Sequence, residues 1–192
     1  IHSEYVMKQT NESIYTIDNQ QYPINTWDGE YSCYCDILDR GINQLNTMLK
    51  HHCKVLAIRL EVYIPKHTKL NTNISVFMGY LTKYIKRHYS TKRVGYVWVR
   101  EIEKAKKQHY HTHLFVDGNK VRTSHHIVSI AKKYLYSKGM AHHHPTNCYS
   151  MTYRNNKDSI DNVVYRFSYL AKTSGKGYVD KHVKNYSSSR LI

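Results

Sequence analysis

Acidic residues are scarce in this chain of 192 residues. Only 14 Asp and Glu stand against 29 Lys and Arg, which leaves a formal net charge of +15. An excess of this size makes a polyanion the natural partner, and nucleic acid is the first candidate. The 19 tyrosines, interleaved with Lys and Arg, add flat rings that can stack on bases as well as fill a core.

Cysteine pairs and long apolar runs are also missing. The four cysteines, at positions 33, 35, 53 and 148, show no CxxC spacing, so we expect reduced thiols rather than disulfides. No apolar run approaches the roughly 20 residues that span a bilayer. Residues 1–13 lack the charged start and apolar centre of a signal peptide. These absences predict a cytoplasmic chain with no membrane contact.

The length and composition of the chain suit one globular domain, because 41% of the side chains are hydrophobic and can form a core. Residues 1–30 are polar and predict nothing beyond a short strand at 13–17, so we treat them as an N-terminal arm and 31–192 as the domain. Apolar spacing predicts helices within 31–53, 71–87, 124–139 and 158–173. It predicts strands at 54–64, 96–101 and 147–153, besides one that carries a row of histidines.

That row is the densest group of ligating residues in the chain. Side chains two apart in a strand share a face, so three histidines project together: His109, His111 and His113. A polar loop at 104–108 would let the preceding strand fold back and bring Glu101 or Glu103 to the same row.

Two imidazoles and a carboxylate with open coordination positions suit a catalytic divalent metal. The plainer interpretation is a solvated strand face that happens to carry histidines. The triple histidine at 142–144 has no carboxylate or cysteine close by, and we predict a solvated loop there.

The segment 158–173 predicts a helix whose apolar stripe leaves four side chains together on another face: Asp161, Tyr165, Tyr169 and Lys172. An exposed tyrosine stripe more often packs against a neighbouring element. Beside an open metal site on a basic protein it also fits phosphoryl transfer. A tyrosine can attack a phosphodiester, and a nearby lysine can stabilise the charge.

Three motifs thus follow one another along the chain: Arg100-Glu101, His109-Tyr110-His111 and Tyr169-Leu170-Ala171-Lys172. In this order they resemble the HUH endonucleases, specifically the rolling-circle replication initiators of phages, plasmids and small DNA viruses. The run from Lys54 to Arg190 is also similar to the prophage and filamentous-phage branch. The resemblance implies an α+β fold, a five-stranded antiparallel sheet flanked by helices, with the histidine strand central.

The resemblance also implies roles. His109, His111 and Glu101 match the metal ligands, with Mg²⁺ or Mn²⁺ as the cofactor. Tyr169 matches the nucleophile that nicks DNA through a covalent 5′-phosphotyrosine, Lys172 matches the lysine after it, and Tyr165 matches the second tyrosine of two-tyrosine initiators. The implied substrate is single-stranded or hairpin DNA at a replication origin in a bacterial host cell. The chain has no Gly-rich Walker loop, so a helicase and a polymerase would be separate proteins.

Two alternatives stay open. His111 and His113 fit a looser form of the histidine motif, although Tyr110 fills its hydrophobic middle position better than Thr112 does. The function could instead be that of a nucleic-acid-binding protein without catalysis, or of an HUH transposase or relaxase. Relaxases usually carry the tyrosine ahead of the histidines, which is the reverse of the order here.

Overall fold

The computed structural model describes residues 7–102, 108–174 and 184–191. Within these ranges the strands, in chain order, are β1 (Gln9–Thr10), β2 (Ile14–Ile17), β3 (Gln20–Pro23), β4 (Cys33–Tyr34), β5 (Lys54–Ile64), β6 (Gly95–Ile102), β7 (Gln108–Asp117), β8 (Ala141–His143), β9 (Tyr149–Tyr153) and β10 (Tyr186–Ser188). The helices are α1 (Cys35–His51), α2 (Thr72–His88), α3 (His125–Ser137) and α4 (Lys157–Ser168), and a 3₁₀ turn (Tyr169–Ala171) follows α4.

The fold is α+β, with a six-stranded antiparallel sheet flanked by helices. Its order is β10-β6-β7-β5, and β8 and β9 both pair with the outer edge of β5. The expected count of five strands is therefore wrong by one. Strand β5 has 11 residues, long enough for two short strands to pair with it in succession. One of them, β8, lies where we expected a solvated loop at 142–144.

Two hydrophobic cores lie on opposite faces of this sheet. Alternate side chains of a strand point to opposite faces, so Leu56, Ile58 and Leu60 of β5 pack with α2 and α3, whereas Val55 and Ala57 pack with α1 and α4. Strand β7 is buried along its whole length because it lies between β5 and β6 and is covered on both faces. The histidine strand is therefore central, as expected.

The described part of the segment 1–30 packs against the domain. Strands β2 and β3 form a hairpin, β1 pairs with β4, and Tyr22 and Ile24 are buried in the core beneath α1 and α4. The backbone N–H of Asn25 donates to Ser168 Oγ at 2.8 Å. These contacts join the segment to the end of α4, while a domain boundary after residue 30 stays a prediction.

Three of the predicted helices are confirmed, and the fourth is shorter than predicted. Helix α4 ends at Ser168, whose Oγ donates to the carbonyl of Tyr165, whereas the sequence predicts a helix through residue 173. After the 3₁₀ turn, the chain becomes extended and Lys172 forms an antiparallel bridge with Cys33. Lys172 therefore does not share a helix face with Asp161 and Tyr165, and Tyr169 lies in the 3₁₀ turn just after α4.

Helices α1 and α4 cross closely at Gly41. A Cβ placed on this residue would lie 1.9 Å from Cε1 of Phe167, a ring that is itself buried. Gly79 in α2 offers a contrast, because a Cβ there would meet nothing within 4 Å. The helical pattern of α1 thus tolerates Gly41 because α4 occupies the space that a side chain would need.

We expect Gly41→Ala to lower the free energy of unfolding by about 1–3 kcal/mol through overpacking. Gly79→Ala should raise it by about 0.5–1 kcal/mol, since alanine is the better helix former in an open position. Urea unfolding followed by circular dichroism measures both. Equal gains for the two variants would contradict the close contact between α1 and α4.

Candidate metal centre

The histidine row meets acidic side chains from both neighbouring strands. In the β6–β7 pairing Glu101 lies opposite His109, and in the β5–β7 pairing Glu61 lies opposite His111. Directly opposite residues of paired strands project to the same face. This is the face that α1 and α4 cover, and Glu61, His109 and His111 are buried on it.

Three ligand atoms converge at this position. Glu101 Oε2 lies 2.9 Å from His111 Nε2 and 3.8 Å from His109 Nε2, and the two Nε2 atoms are 3.2 Å apart. Atoms bound about 2.1 Å from one ion at right angles lie about 3 Å from each other. The buried cluster can therefore hold a metal ion, and it unites the three ligands expected from the sequence.

His113 lies in a different environment from the other two histidines. Its ring stacks on Phe115 at 5.3 Å between centroids and lies 5.7 Å from that of Phe167. Burial, aided by the nearby Arg59 and Arg166, lowers the pKa of His113 to about 3. This neutral ring packs beneath α4 and is not part of the converging set. Glu103, the other alternative, lies outside the described residues.

A second carboxylate orients His111. Its Nδ1 donates to Glu61 Oε1 at 3.1 Å, so Nε2 is directed toward Glu101 and His109. Such an outer carboxylate commonly fixes the ring orientation of a metal-binding histidine. Burial tends to raise the pKa of Glu61, but the hydrogen bonds from His111 and Arg59 outweigh it and hold the pKa at about 2. Glu61 is thus an anion throughout the neutral range.

Two other side chains of β5 donate hydrogen bonds to Glu61. Arg59 Nη2 donates to Oε1 at 2.7 Å, and the hydroxyl of Tyr63 donates to Oε2 at 3.1 Å. None of these residues was predicted from the sequence to belong to the site. A signal was present, because three polar side chains alternate through an otherwise apolar strand: Arg59, Glu61 and Tyr63.

Tyr169 reaches this network from the 3₁₀ turn. Its ring lies edge-on to that of His111, with centroids 5.8 Å apart, and the guanidinium of Arg59 lies 4.4 Å above its centre. Lys172 Nζ lies 5.0 Å from the same ring. Tyr165 lies one turn earlier on α4 and is 45% exposed. Of the two tyrosines, Tyr169 is the one in contact with the histidine site.

A cavity of about 340 Å³ extends between the candidate metal ligand Glu101 and Tyr169. Its lining residues are Trp27, Tyr31, Glu101, Tyr169, Lys172 and Ser174. Burial lowers the pKa of Lys172, whose side chain extends into this cavity. A larger cavity, about 920 Å³, opens between α1 and residues 184–191, but the residues that line it include neither histidine nor carboxylate. Among the candidate site residues, Glu101, Tyr169 and Lys172 therefore line the smaller cavity.

The fold and site together define an α+β domain with a candidate metal centre on its central strands. The chain belongs to the YagK/YfjJ C-terminal domain family, whose pattern matches residues 16–189. No curated protein and no solved structure matches the chain. The matched range begins well inside the segment that we treated as an arm.

The state of the cysteines and the character of the helices are two further properties of the chain. The four cysteines all lie within the described ranges, and none of them forms a disulfide there. Across the described ranges, every helix is too short or too polar to cross a membrane.

A matched pair of substitutions tests the histidine assignment. We expect His109→Phe to weaken Mn²⁺ binding about tenfold or more, because it removes one nitrogen ligand while its ring can still stack on Tyr63. His113→Phe should leave Mn²⁺ affinity unchanged, since this ring lies among aromatic neighbours. Isothermal titration calorimetry measures both. The reverse result would favour the pair His111 and His113.

Proposed function

We propose that this domain is a metal-dependent endonuclease that nicks single-stranded or hairpin DNA and rejoins it through a covalent 5′-phosphotyrosine on Tyr169. The observation that carries the proposal is the edge-on contact of the Tyr169 ring with His111, beside the convergent Glu101, His109 and His111. Tyr169, the candidate ligand Glu101 and the cationic Lys172 thus border one cavity, and the guanidinium of Arg59 lies against the Tyr169 ring.

In this proposal Glu101, His109 and His111 hold Mg²⁺ or Mn²⁺, the ions that the family resemblance implies, and the carboxylate of Glu101 is a ligand that suits both. The ion would supply Lewis-acid polarisation of the scissile phosphate. Glu61 keeps the His111 ring oriented through Nδ1, so that Nε2 stays available as a ligand.

Tyr169 supplies the covalent step. Its phenolic oxygen forms a bond to phosphorus as the bond from phosphorus to the 3′ oxygen breaks. The phenolic proton leaves to solvent, and the departing 3′ oxygen takes up a proton to become a hydroxyl. Arg59 and Lys172 lie against the Tyr169 ring and stabilise the developing phenolate. Attack by a later 3′ hydroxyl reverses the step and reseals the strand.

The charge and motif content support a role at a DNA origin. A net charge of +15 favours a polyanionic substrate whose binding weakens as salt rises. Because the sequence holds no Gly-rich Walker loop, strand separation and synthesis would fall to a separate helicase and polymerase. The proposed setting is the cytoplasm of a bacterial host, where the protein would initiate rolling-circle replication of a phage, plasmid or other mobile element.

The two tyrosines make a matched pair for testing the nucleophile. We expect Tyr169→Phe to reduce the covalent protein–DNA adduct on the order of a thousandfold or more. Tyr165→Phe should leave the first nick intact, because it is the Tyr169 ring that contacts His111. Labelled single-stranded oligonucleotides of several sequences, incubated with Mn²⁺ and resolved under denaturing conditions, measure the adduct.

Two other outcomes of this experiment would each reject part of the proposal. If Tyr165→Phe removes the adduct and Tyr169→Phe keeps it, the nucleophile is Tyr165. If the unaltered protein gives no nick and no adduct with any oligonucleotide or hairpin, the domain is a nucleic-acid-binding protein without this catalysis.

A further inference from the structure

An unusual turn at residues 26–31 presents aromatic rings beside Tyr169. Three consecutive residues of this turn adopt the left-handed backbone conformation, with φ of 49° at Trp27, 53° at Asp28 and 89° at Gly29. A bulky side chain such as Trp rarely adopts positive φ, and such conformations persist only where the surrounding structure imposes them. Contacts with the rest of the fold must therefore hold Trp27 in its left-handed conformation.

The turn is well anchored, although its tryptophan faces solvent. The N–H of Tyr31 donates to the carbonyl of Thr26 at 3.0 Å, and that of Glu30 donates to the carbonyl of Trp27 at 3.1 Å. Thr26 is buried, whereas Trp27 is 61% exposed. The backbone is thus fixed while the largest apolar ring of the turn remains open to solvent.

Three exposed rings surround one shielded ammonium. Lys172 Nζ lies 5.3 Å from the ring centre of Trp27, 4.8 Å from that of Tyr31 and 5.0 Å from that of Tyr169. Trp27 and Tyr31 meet edge to face, with 6.5 Å between centroids. The cation attracts all three rings, and each ring keeps between 41% and 61% of its residue surface exposed to solvent, where a flat ligand can reach it.

The chemistry around these rings favours a nucleobase as that ligand. Bases stack on aromatic side chains with little regard to sequence, and a positive groove follows the attached phosphates. The ammonium of Lys172 supplies positive charge within the same cavity, whose lining includes Tyr169 and Glu101. A base in a duplex already stacks on its neighbours, so only an unpaired base can offer its face to these rings.

We propose that Trp27 and Tyr31 form a stacking platform for an unpaired base of single-stranded DNA, next to the phosphate that Tyr169 attacks. This inference rests on the proposed function and adds to it a reason for choosing unpaired DNA. It also assigns a binding role to a segment that the sequence analysis treated as an arm.

Tryptophan fluorescence gives a direct test, because the chain has two tryptophans and the other, Trp98, is only 4% exposed. The full chain is titrated in EDTA with an oligothymidylate of about 15 nucleotides. We expect quenching of the Trp27 emission by the single strand and little quenching by a duplex of the same length. In Trp27→Phe, the remaining Trp98 emission should not respond.

Binding of a fluorescently labelled oligothymidylate, followed by anisotropy, tests the two rings separately. Trp27→Ala and Tyr31→Ala should each weaken binding about tenfold, and Trp27→Phe should restore most of the affinity because it keeps a flat ring. Tyr136→Ala is the matched control. That tyrosine is also exposed and lies near a lysine, Lys132, but belongs to α3 on the other face of the sheet.

The outcomes separate this inference from the proposed function, since binding in EDTA requires no cleavage. Unchanged affinity in both alanine variants, or equal quenching by duplex and single strand, overturns the platform even if Tyr169 forms an adduct. Quenching and weakened binding as expected, without any nick in the presence of Mn²⁺, support the platform and reject the nuclease.

Discussion

The buried carboxylate of Glu61 is the group on which the rest of the site depends. It accepts hydrogen bonds from His111, Arg59 and Tyr63, and these donors offset the cost of placing an anion under α1 and α4. Through His111 it orients a candidate metal ligand. Through Arg59, whose guanidinium lies over the Tyr169 ring, it also positions the candidate nucleophile. Glu61 on β5 thus helps to position two groups, the His111 ring on β7 and, through Arg59, the Tyr169 ring in the turn after α4.

The surroundings of the histidines on this face differ from one end of β7 to the other. His109 and His111 lie near the start of β7, where carboxylates from β5 and β6 project toward them. Burial lowers the pKa of His111, but its two acidic partners, Glu61 and Glu101, outweigh burial and raise the pKa. His113, two residues further on, stacks on Phe115 and Phe167 and has its pKa lowered by burial. Helix α4 covers this inner end, and its close crossing with α1 at Gly41 keeps Phe167 in place. Packing therefore determines which histidines remain available for chemistry.

Strand alternation was enough to predict that the histidines share a face and that Glu101 or Glu103 lies next to them, and the family resemblance selected Glu101. Helical spacing likewise located α1, α2 and α3, because both signals are local. Features that depend on distant parts of the chain could not be predicted in this way. The end of α4 depends on Asn25 and Cys33, which contact Ser168 across the fold. The positions of Glu61 and Trp27 beside the site likewise follow from strand pairing and from docking of the N-terminal segment.

Docking of that segment has a consequence for the site as a whole. Just before the left-handed turn, Asn25 donates to Ser168 Oγ, immediately before Tyr169 in sequence. Just after the turn, the N–H of Thr173 donates to the carbonyl of Ser32, and Lys172 bridges to Cys33. The turn and the tyrosine segment are therefore joined on both sides. Rings that belong to sequence positions more than a hundred residues apart are therefore held together, and a base that stacks on the turn, as we propose, would take a fixed position relative to Tyr169.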